Sequence, residues 1–322
     1  MDIARTARRT LLLAATALAA FGAQAAFPEK PVRIVVPFAP GGGTDVWARL
    51  FATRLAAKLG QPVIVDNRPG ANTQLGANAV AKAEPDGYTL LFTSGSHIQQ
   101  PALSTTLPYD VVRDFTPIGQ LGTTGLVFVA NPQVKASSMK DFLAEARGQK
   151  WALGTYAGGS TGDVFSQAIL KENGLDVPVV AYKGESPAIT DVIGGQVQGG
   201  FFSIPSVKAQ VKAGKLKALG SLATGRIASM PDVQTLPEQG MQRYRWPGIW
   251  LGLFAPAKLP AAVHDRLVEA SRAITQDRDF QREWAERDLL VEWRGPADFA
   301  HDIRTDMKTW SDLVQSLGIK PQ

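Results

Sequence analysis

The apolar positions of this chain alternate between short unbroken runs and a helical spacing. Residues 34–36 are continuously apolar and predict a short strand. After three glycines, apolar side chains recur at helical spacing from Val46 to Leu59, and charged residues take the opposite face. Gly60 follows, and helices commonly end at a glycine. The pattern therefore predicts a strand, a glycine turn and a helix.

The same alternation continues to residue 97. Residues 61–67 and 88–93 predict two further strands, and residues 75–83 predict a helix between them. This β-α-β-α-β order favours a parallel sheet, in which ligands bind beyond the carboxyl ends of the strands. The glycine turn and residues 94–97 both follow such ends, so we expect them to share one edge of the sheet.

A second unit with this pattern begins near residue 125. Its strands are predicted at residues 126–130, 151–156, 179–182, 199–204 and 216–222. Between the second and third of these strands, residues 157–163 form another glycine turn, and a helix is predicted over residues 164–171. Ser186 and Pro187 are predicted to open the next helix as its N-cap and first residue. The strand, glycine turn and helix of the first unit are thus repeated.

The chain then returns to the first unit. Residues 249–256 predict a returning strand, and the tail is predicted to be helical. Two crossings between two α/β units are the topology of receptors that close about a hinge. We predict domain 1 at residues 27–124 plus 248–322 and domain 2 at residues 125–247, with a ligand cleft between them.

The amino terminus differs in composition from the rest. Arg5, Arg8 and Arg9 precede a short apolar run, and residues 23–25 fit a small-x-small cleavage site. These features predict a secretory signal peptide at residues 1–25 and a periplasmic location for the remainder. Removing that segment lowers the formal net charge from +5 to +3.

Composition excludes several classes of function. The chain has no cysteine, so disulfides and thiol chemistry are excluded. Its three histidines, His97, His264 and His301, are far apart in sequence, which argues against a histidine-rich metal site. No run of basic residues follows the signal peptide, so we expect no nucleic-acid partner. We also expect no cofactor.

The glycine turn at residues 41–43 has a definite chemistry. The first N–H groups of a helix lack partners within it, and the helix dipole leaves roughly half a positive charge there. Glycines let the backbone approach an anion closely. A tight turn without a ligand, a nucleotide site and a carboxylate site all remain open. The nucleotide site is disfavoured because neither Gly-Lys-Ser/Thr nor Gly-x-Gly-x-x-Gly is present.

Ordered motifs along the chain carry a resemblance to a known family. They lie at residues 37–45 (PFAPGGGTD), 60–63, 67–71 (NRPGA), 85–90 (PDGYTL), 107–110 (LPYD), 182–184, 194–197 and 213–216. The set resembles the periplasmic solute receptors of tripartite tricarboxylate transporters, the Bug family, over nearly the whole mature chain. The resemblance implies a periplasmic-binding-protein-like fold of type II. It also implies a receptor, not an enzyme, that captures a small organic acid through main-chain and water contacts.

On this resemblance the two glycine turns hold the acid between them. Ligand contacts are assigned to Phe38, Ala39, Pro40, Gly41, Gly42, Gly43, Thr44 and Asp45 in the first turn, to Gly159, Ser160, Thr161, Gly162 and Asp163 in the second, and to Ser94, His97, Tyr182 and Ser203 near the rim. Asp45 is included as the acid that orders its loop. The expected protein partners are the membrane subunits of such a transporter or a sensor kinase, and the receptor is expected to be a monomer.

The second domain departs from the family pattern. Family members usually carry an acidic residue near position 198 and a carboxylate or amide near positions 202 and 203, whereas this chain has Gln198, Phe202 and Ser203. Asp163 also stands where a histidine is common. A less polar wall favours a less polar acid, such as an aromatic monocarboxylate or a long dicarboxylate.

A rival hypothesis comes from residues 158–162. They match Gly-x-Ser-x-Gly, the nucleophile elbow of serine hydrolases, in the required strand–turn–helix context. Ser160 would be the nucleophile, and His264 or His301 would supply the base. A structural envelope protein is a third class, disfavoured by two polar glycine loops that face one cleft.

Overall fold

The computed structural model describes residues 27–319, so the predicted signal peptide lies outside the described residues. Within these residues, eleven strands form two sheets. The strands are β1 (Val32–Val36), β2 (Val63–Asn67), β3 (Thr89–Ser94), β4 (Phe115–Thr124), β5 (Leu126–Ala130), β6 (Leu153–Thr155), β7 (Val179–Ala181), β8 (Gly199–Ser203), β9 (Lys217–Ser221), β10 (Ile249–Pro256) and β11 (Leu290–Arg294).

The helices pack against these sheets. They are α1 (Gly43–Leu59), α2 (Gln74–Ala81), α3 (Ser96–Gln99), α4 (Met139–Glu145), α5 (Thr161–Glu172), α6 (Glu185–Ile193), α7 (Ile204–Lys212), α8 (Ala261–Thr275), α9 (Arg278–Ala285) and α10 (Pro296–Ser316), with a 3₁₀ turn at Gln100–Ala102. No helix in residues 27–319 combines the length and apolar character needed to cross a membrane.

Sheet I has the strand order β11-β4-β10-β3-β1-β2. Strand β1 is parallel to both β2 and β3, as the sequence predicts. The returning strand β10 inserts antiparallel between β3 and β4. All eight residues of β10 are buried because strands flank it on both sides and helices cover the sheet. The carboxyl ends of β1 and β3 therefore meet at one edge.

Sheet II has the strand order β7-β6-β8-β5-β9. Strand β6 is parallel to β7 and β8, whereas β5 is antiparallel to β8 and β9. Strand β5 is buried at every residue, as its apolar run predicts. We call sheet I with its helices lobe I, and sheet II with its helices lobe II. This architecture confirms the predicted α/β fold.

The chain passes between the lobes at Gly125 and again between β9 and β10. Trp246 lies in the return segment and packs between them. Its ring centroid is 6.3 Å from that of Phe165 on α5 and 5.4 Å from that of Trp310 on α10. An ion pair between Lys208 of lobe II and Asp288 of lobe I, at 2.6 Å, adds a second bridge. The two lobes thus contact each other in a closed arrangement.

One predicted helix start is wrong. The sequence suggests Ser186 as the N-cap of α6, but the helix begins at Glu185 and Gly184 takes the cap position. Gly184 has a φ of +142°, a conformation that L side chains rarely adopt. A side chain there would also meet the Ala39 backbone nitrogen of lobe I at 2.9 Å. The glycine therefore allows lobe II to approach the first turn.

Candidate ligand cleft

Two turns of the same construction face each other across the lobes. Strand β1 leads through residues 37–42 into α1, and β6 leads through residues 156–160 into α5. Gly41 and Gly159 have φ values of +84° and +71°, so both turns use a glycine in the left-handed region. Four residues later, Asp45 and Asp163 bond back to the N–H groups of Gly41 and Gly159 at 2.9 and 2.7 Å. The sequence repeat is thus a structural repeat.

Asp45 is buried and fully engaged within lobe I. It accepts hydrogen bonds from the Gly41 N–H, from Arg49 Nε at 3.1 Å and from Asn67 Nδ2 at 2.8 Å. Burial alone would raise the pKa of Asp45, but Arg49, the Gly41 N–H and Asn67 together lower it below its ordinary value. The carboxylate therefore orders the first turn.

Asp163 occupies the equivalent position without a cation. Burial raises the pKa of this carboxyl, and hydrogen bonds from Gln167 and the Gly159 N–H offset only part of that effect. Both aspartates bind their own turns, which agrees with the ordering role predicted for Asp45.

The first turn meets lobe II through its backbone. The Ala39 N–H donates to the Lys183 carbonyl oxygen at 2.7 Å. The Gly43 N–H, at the amino end of α1, donates to Glu185 Oε2 and to Ser206 Oγ, both at 2.9 Å. The predicted anion position at this helix terminus is therefore in contact with a carboxylate from the other lobe.

The second turn meets lobe I through side chains that follow β2 and β3. Gln99 Nε2 donates to Thr161 Oγ1 at 2.9 Å, and the Gly158 N–H donates to Asn72 Oδ1 at 3.0 Å. Ser160 is the N-cap of α5 and its hydroxyl accepts the Asp163 N–H. The contacts that close the cleft are thus polar on both turns.

A buried polar cluster lies between the turns. We define it as Ser94, Ser96, Tyr156 and Ser160, each at most 3 % exposed. The Tyr156 hydroxyl has no hydrogen-bond partner among the described residues. Burial raises the pKa of Tyr156 and the charge of Glu185 adds to this rise, whereas the neighbouring Ser160, Gly162 N–H and Ser96 act in the opposite direction. The hydroxyl is thus surrounded by polar groups of both lobes.

A small cavity lies beside the second turn. It is lined by Asn72, Gln100, Leu103, Gly159 and Asp163 and measures about 80 Å³. This volume is well below the ~300–1,000 Å³ that ligand pockets commonly enclose.

One predicted rim residue lies elsewhere than expected. His97 is buried in the core of lobe I, with ring centroids 5.7, 4.7 and 5.5 Å from those of Tyr109, Phe115 and Phe254. The prediction that His97 lines the rim is wrong, because α3 turns the side chain after β3 into the apolar core. The hydroxyl of Tyr182 donates to Asp191 on α6, within lobe II.

The other predicted residues lie along the two turns and the cluster. Phe38 is buried with its ring 6.5 Å from that of Tyr156, whereas Pro40 is exposed and Thr44 is half-buried. Ser203 bonds to Glu185 through both its N–H and its hydroxyl. Sequence reasoning did not identify Tyr156, Gln99, Asn72 or Glu185 as cleft residues. Tyr156, Gln99 and Asn72 follow the strands β6, β3 and β2. That position after a strand was the feature of the sequence that could have indicated a place in the cleft.

The geometry at Ser160 is that of a helix cap. Its hydroxyl lies 3.1 Å from Thr155 Oγ1 and accepts the Asp163 N–H, and no histidine of residues 27–319 contacts it. His264 is on α8, where its ring contacts Asp265 and the Pro117 carbonyl oxygen. Within the same residues, no group of three or more His, Asp or Glu side chains has the arrangement of a metal site.

Comparison with known proteins decides the family. Residues 47–319 match the tripartite tricarboxylate transporter family receptor. This chain belongs to that family. The Bordetella pertussis protein BugT is 31 % identical over 314 residues, which cover 96 % of each chain. The resemblance noted in the motifs is confirmed, and the chain is a solute-binding receptor of the Bug type.

Solved structures agree with the fold. The periplasmic binding protein BugD is 28 % identical, with a TM-score of 0.87 over 92 % of this chain and 100 % of that one. MatC from Rhodopseudomonas palustris, solved with bound malate, is 30 % identical, with a TM-score of 0.85 over 89 % of this chain and 100 % of that one. These neighbours are binding proteins, and the type II periplasmic-binding-protein-like fold is confirmed.

Proposed function

We propose that this protein is a periplasmic receptor that captures a small organic acid by closing its two lobes. The domains would be residues 27–124 plus 248–322 and residues 125–247, after removal of the signal peptide at residues 1–25. The observation that carries the proposal is the pair of matched glycine turns that face each other with the buried Ser94–Ser96–Tyr156–Ser160 cluster between them.

The chemistry of this cleft suits a carboxylate. The helices α1 and α5 both direct their amino ends into it, where the first N–H groups lack partners within the helix and the helix dipole favours an anion. The buried Tyr156 hydroxyl supplies a further donor that no described group uses. MatC, which binds malate, has the same fold. The acid would contact residues 38–45 and 159–163, together with Ser94 and Ser203.

Closure would trap the ligand. Hydrogen bonds from Ala39, Gly43 and Gln99 join the lobes, and the Lys208–Asp288 pair spans them on another side. An acid bound between the turns would add contacts to both lobes and favour the closed arrangement. A closed receptor would then engage the membrane subunits of a tripartite transporter or a sensor kinase.

A thermal-shift screen of residues 26–322 tests the proposal. The panel contains mono-, di- and tricarboxylates, aromatic acids, amino acids and an activated ester. A ligand at a hundredfold excess over its dissociation constant stabilises the folded state by ~2.7 kcal/mol. We expect the midpoint to rise with one class of acid, and calorimetry to give a single site. No shift with any acid would contradict the receptor function.

The same panel tests the hydrolase. Turnover of the ester that Ser160→Ala abolishes, without binding of any acid, would favour the hydrolase over the receptor. The buried hydroxyl of Ser160 and its capping bond to Asp163 argue against such turnover. Fractionation of cells that produce the full chain tests location, because the proposal requires processed protein in the periplasmic fraction.

A further inference from the structure

The anion position at the amino end of α1 holds a carboxylate of the protein itself. Glu185 is the first residue of α6 in lobe II and is 8 % exposed. Its Oε2 accepts hydrogen bonds from the Gly43 N–H at 2.9 Å, from Ser203 Oγ at 2.8 Å and from Ser206 Oγ. Its Oε1 accepts the Ser203 N–H at 2.6 Å.

These contacts engage the Gly43 N–H and both serine hydroxyls at this position. A serine hydroxyl has one proton, and Ser203 and Ser206 both direct theirs to Glu185. The Gly43 N–H is shared between Glu185 and Ser206. A second carboxylate would therefore compete with Glu185 for these three donors and would meet a like charge, which disfavours it strongly when both groups are buried.

The position at the amino end of α5 differs in this respect. The Tyr156 hydroxyl is buried, has no hydrogen-bond partner within residues 27–319 and is close enough to Ser160, Ser96 and the Gly162 N–H for each to act on its pKa. The acidic side chain of this turn, Asp163, bonds to the Gly159 N–H. Donors for one incoming carboxylate thus remain here.

We infer that Glu185 determines the ligand class by acting as a built-in second carboxylate. The receptor takes acids with a single carboxylate, which lies against Tyr156, Ser96 and the Gly162 N–H. The uncharged end of the acid lies towards Phe38 and Glu185. This inference rests on the proposed function and narrows it to monocarboxylic acids, in contrast to the dicarboxylate malate bound by MatC.

Calorimetric titration with matched acids tests the inference. The pairs are butanoate with succinate, hexanoate with adipate, and benzoate with terephthalate, so that one carboxylate is the main difference within each pair. The proteins are the wild type, Glu185→Ala, Glu185→Gln and the control Asp176→Asn. Asp176 is an exposed acid of lobe II between α5 and β7, so its variant removes the same charge outside the cleft.

We expect the wild type to bind the monocarboxylate of its preferred pair on the order of tenfold or more tightly than the dicarboxylate. Glu185→Ala frees the donors and removes the charge, so the ratio shifts towards the dicarboxylate by about a hundredfold. Glu185→Gln shifts it in the same direction by less, and Asp176→Asn leaves it unchanged.

The inference is overturned if the wild type binds the dicarboxylate of each pair at least as tightly, or if both Glu185 variants keep the wild-type ratio. The wild-type comparison decides the matter even if Glu185→Ala does not fold. Failure of every acid to bind the wild type would contradict the proposed function, and this inference with it.

Discussion

The Asp163 carboxylate accepts a hydrogen bond from the Gly159 N–H at 2.7 Å. Asp45 makes the equivalent bond to Gly41 at 2.9 Å, but it also binds Arg49 and Asn67. The same glycine turn with its aspartate thus occurs twice, once with an arginine beside the carboxylate and once without. The surroundings lower the pKa of Asp45, whereas burial raises that of Asp163. The first turn is held by a stable charge, and the second by a carboxyl that folding favours in its neutral form.

Replacing these two aspartates by asparagine should therefore have unequal effects. Asp45→Asn exchanges a paired carboxylate for an amide whose NH₂ group faces donors, so we expect the free energy of unfolding at pH 7 to fall by about 1.5–3 kcal/mol. Asp163→Asn keeps an oxygen for the Gly159 N–H and removes a buried charge. Its cost should be at most ~1 kcal/mol. Urea unfolding measures both values.

The contributions of the two aspartates to the free energy of unfolding should also change with pH in opposite directions. A lowered pKa means that the stabilisation from Asp45 is present above the ordinary carboxyl pKa and is lost as the pH falls through the folded value. The raised pKa of Asp163 means the reverse, because its favourable contribution is lost as the pH rises through the folded value. Acidification should therefore reduce the difference in free energy of unfolding between the wild type and Asp45→Asn. If both variants lose the same free energy of unfolding at every pH, the two aspartates do not differ in their electrostatic surroundings.

The unit from β1 to α1 could be predicted because its signals are local. Unbroken apolar residues define the strand, helical spacing defines the helix, and Gly60 ends it with a φ of +72°. Strand β10 was predicted with its observed bounds for the same reason. Strand β4 was missed because Pro117, Gly119 and Gly122 interrupt its pattern.

The cleft contacts could not be read from local signals. Gly43 and Glu185 are 142 residues apart, and their hydrogen bond depends on how the two lobes meet. From the sequence alone, Tyr156 looks like any aromatic residue of the core. Its place in the cleft is evident only from the fold, which brings Ser96 of the other lobe close to its hydroxyl. The β-bulges between β10 and β4 and the exposed edge strand β11 likewise depend on pairing between distant segments.

Gly43→Ala should block closure without damaging either lobe. A Cβ at this position would lie 2.7 Å from Ser203 Oγ and 3.2 Å from Glu185 Oε2, both in lobe II. Alanine is otherwise favourable at the start of a helix. We expect binding of the acid to weaken by about 1–3 kcal/mol, the usual cost of overpacking. Small-angle scattering in the presence of ligand should report a more open molecule.

Gly225→Ala provides the matched control, because a Cβ there would have no atom of residues 27–319 within 4 Å. It should leave affinity and scattering unchanged. If Gly43→Ala binds and closes like the wild type, the contact between Gly43 and lobe II is not part of the closed receptor.

His97 should make lobe I sensitive to acid. Burial among aromatic rings lowers its pKa to about 3. The unfolded chain takes up a proton near pH 6.5 and the folded chain does not, so stability is full above pH 6.5 and is lost as the pH falls towards the folded value. At pH 4.5 the loss is up to ~2.7 kcal/mol. We expect His97→Phe to lose less stability than the wild type between pH 7.5 and 4.5, as measured by urea unfolding.

His264→Gln serves as the control, because His264 lies on the partly exposed face of α8. That variant should keep the acid sensitivity of the wild type. An unchanged sensitivity in His97→Phe would mean that the imidazole is protonated in the folded protein, contrary to its apolar surroundings.

Tyr156→Phe should separate ligand binding from stability. The Tyr156 hydroxyl is buried without a partner in the part of the chain that the structure describes, so its removal relieves a desolvation cost and should leave the free energy of unfolding equal or higher. A hydrogen bond to a charged group contributes about 1.5–3 kcal/mol, so an acid bound at the hydroxyl should lose about ten- to a hundredfold in affinity. Unfolding and calorimetry on one preparation test both halves.

Tyr109→Phe is a close match for this variant. The Tyr109 hydroxyl is also buried and has no partner among the described residues, but its ring stacks on His97 in the core of lobe I. The two variants should change stability alike, because each removes one unsatisfied hydroxyl from the interior. They should differ only in affinity, because only Tyr156 lies between the two turns. An equal loss of affinity in both would point to a general effect of packing and would remove Tyr156 from the binding site.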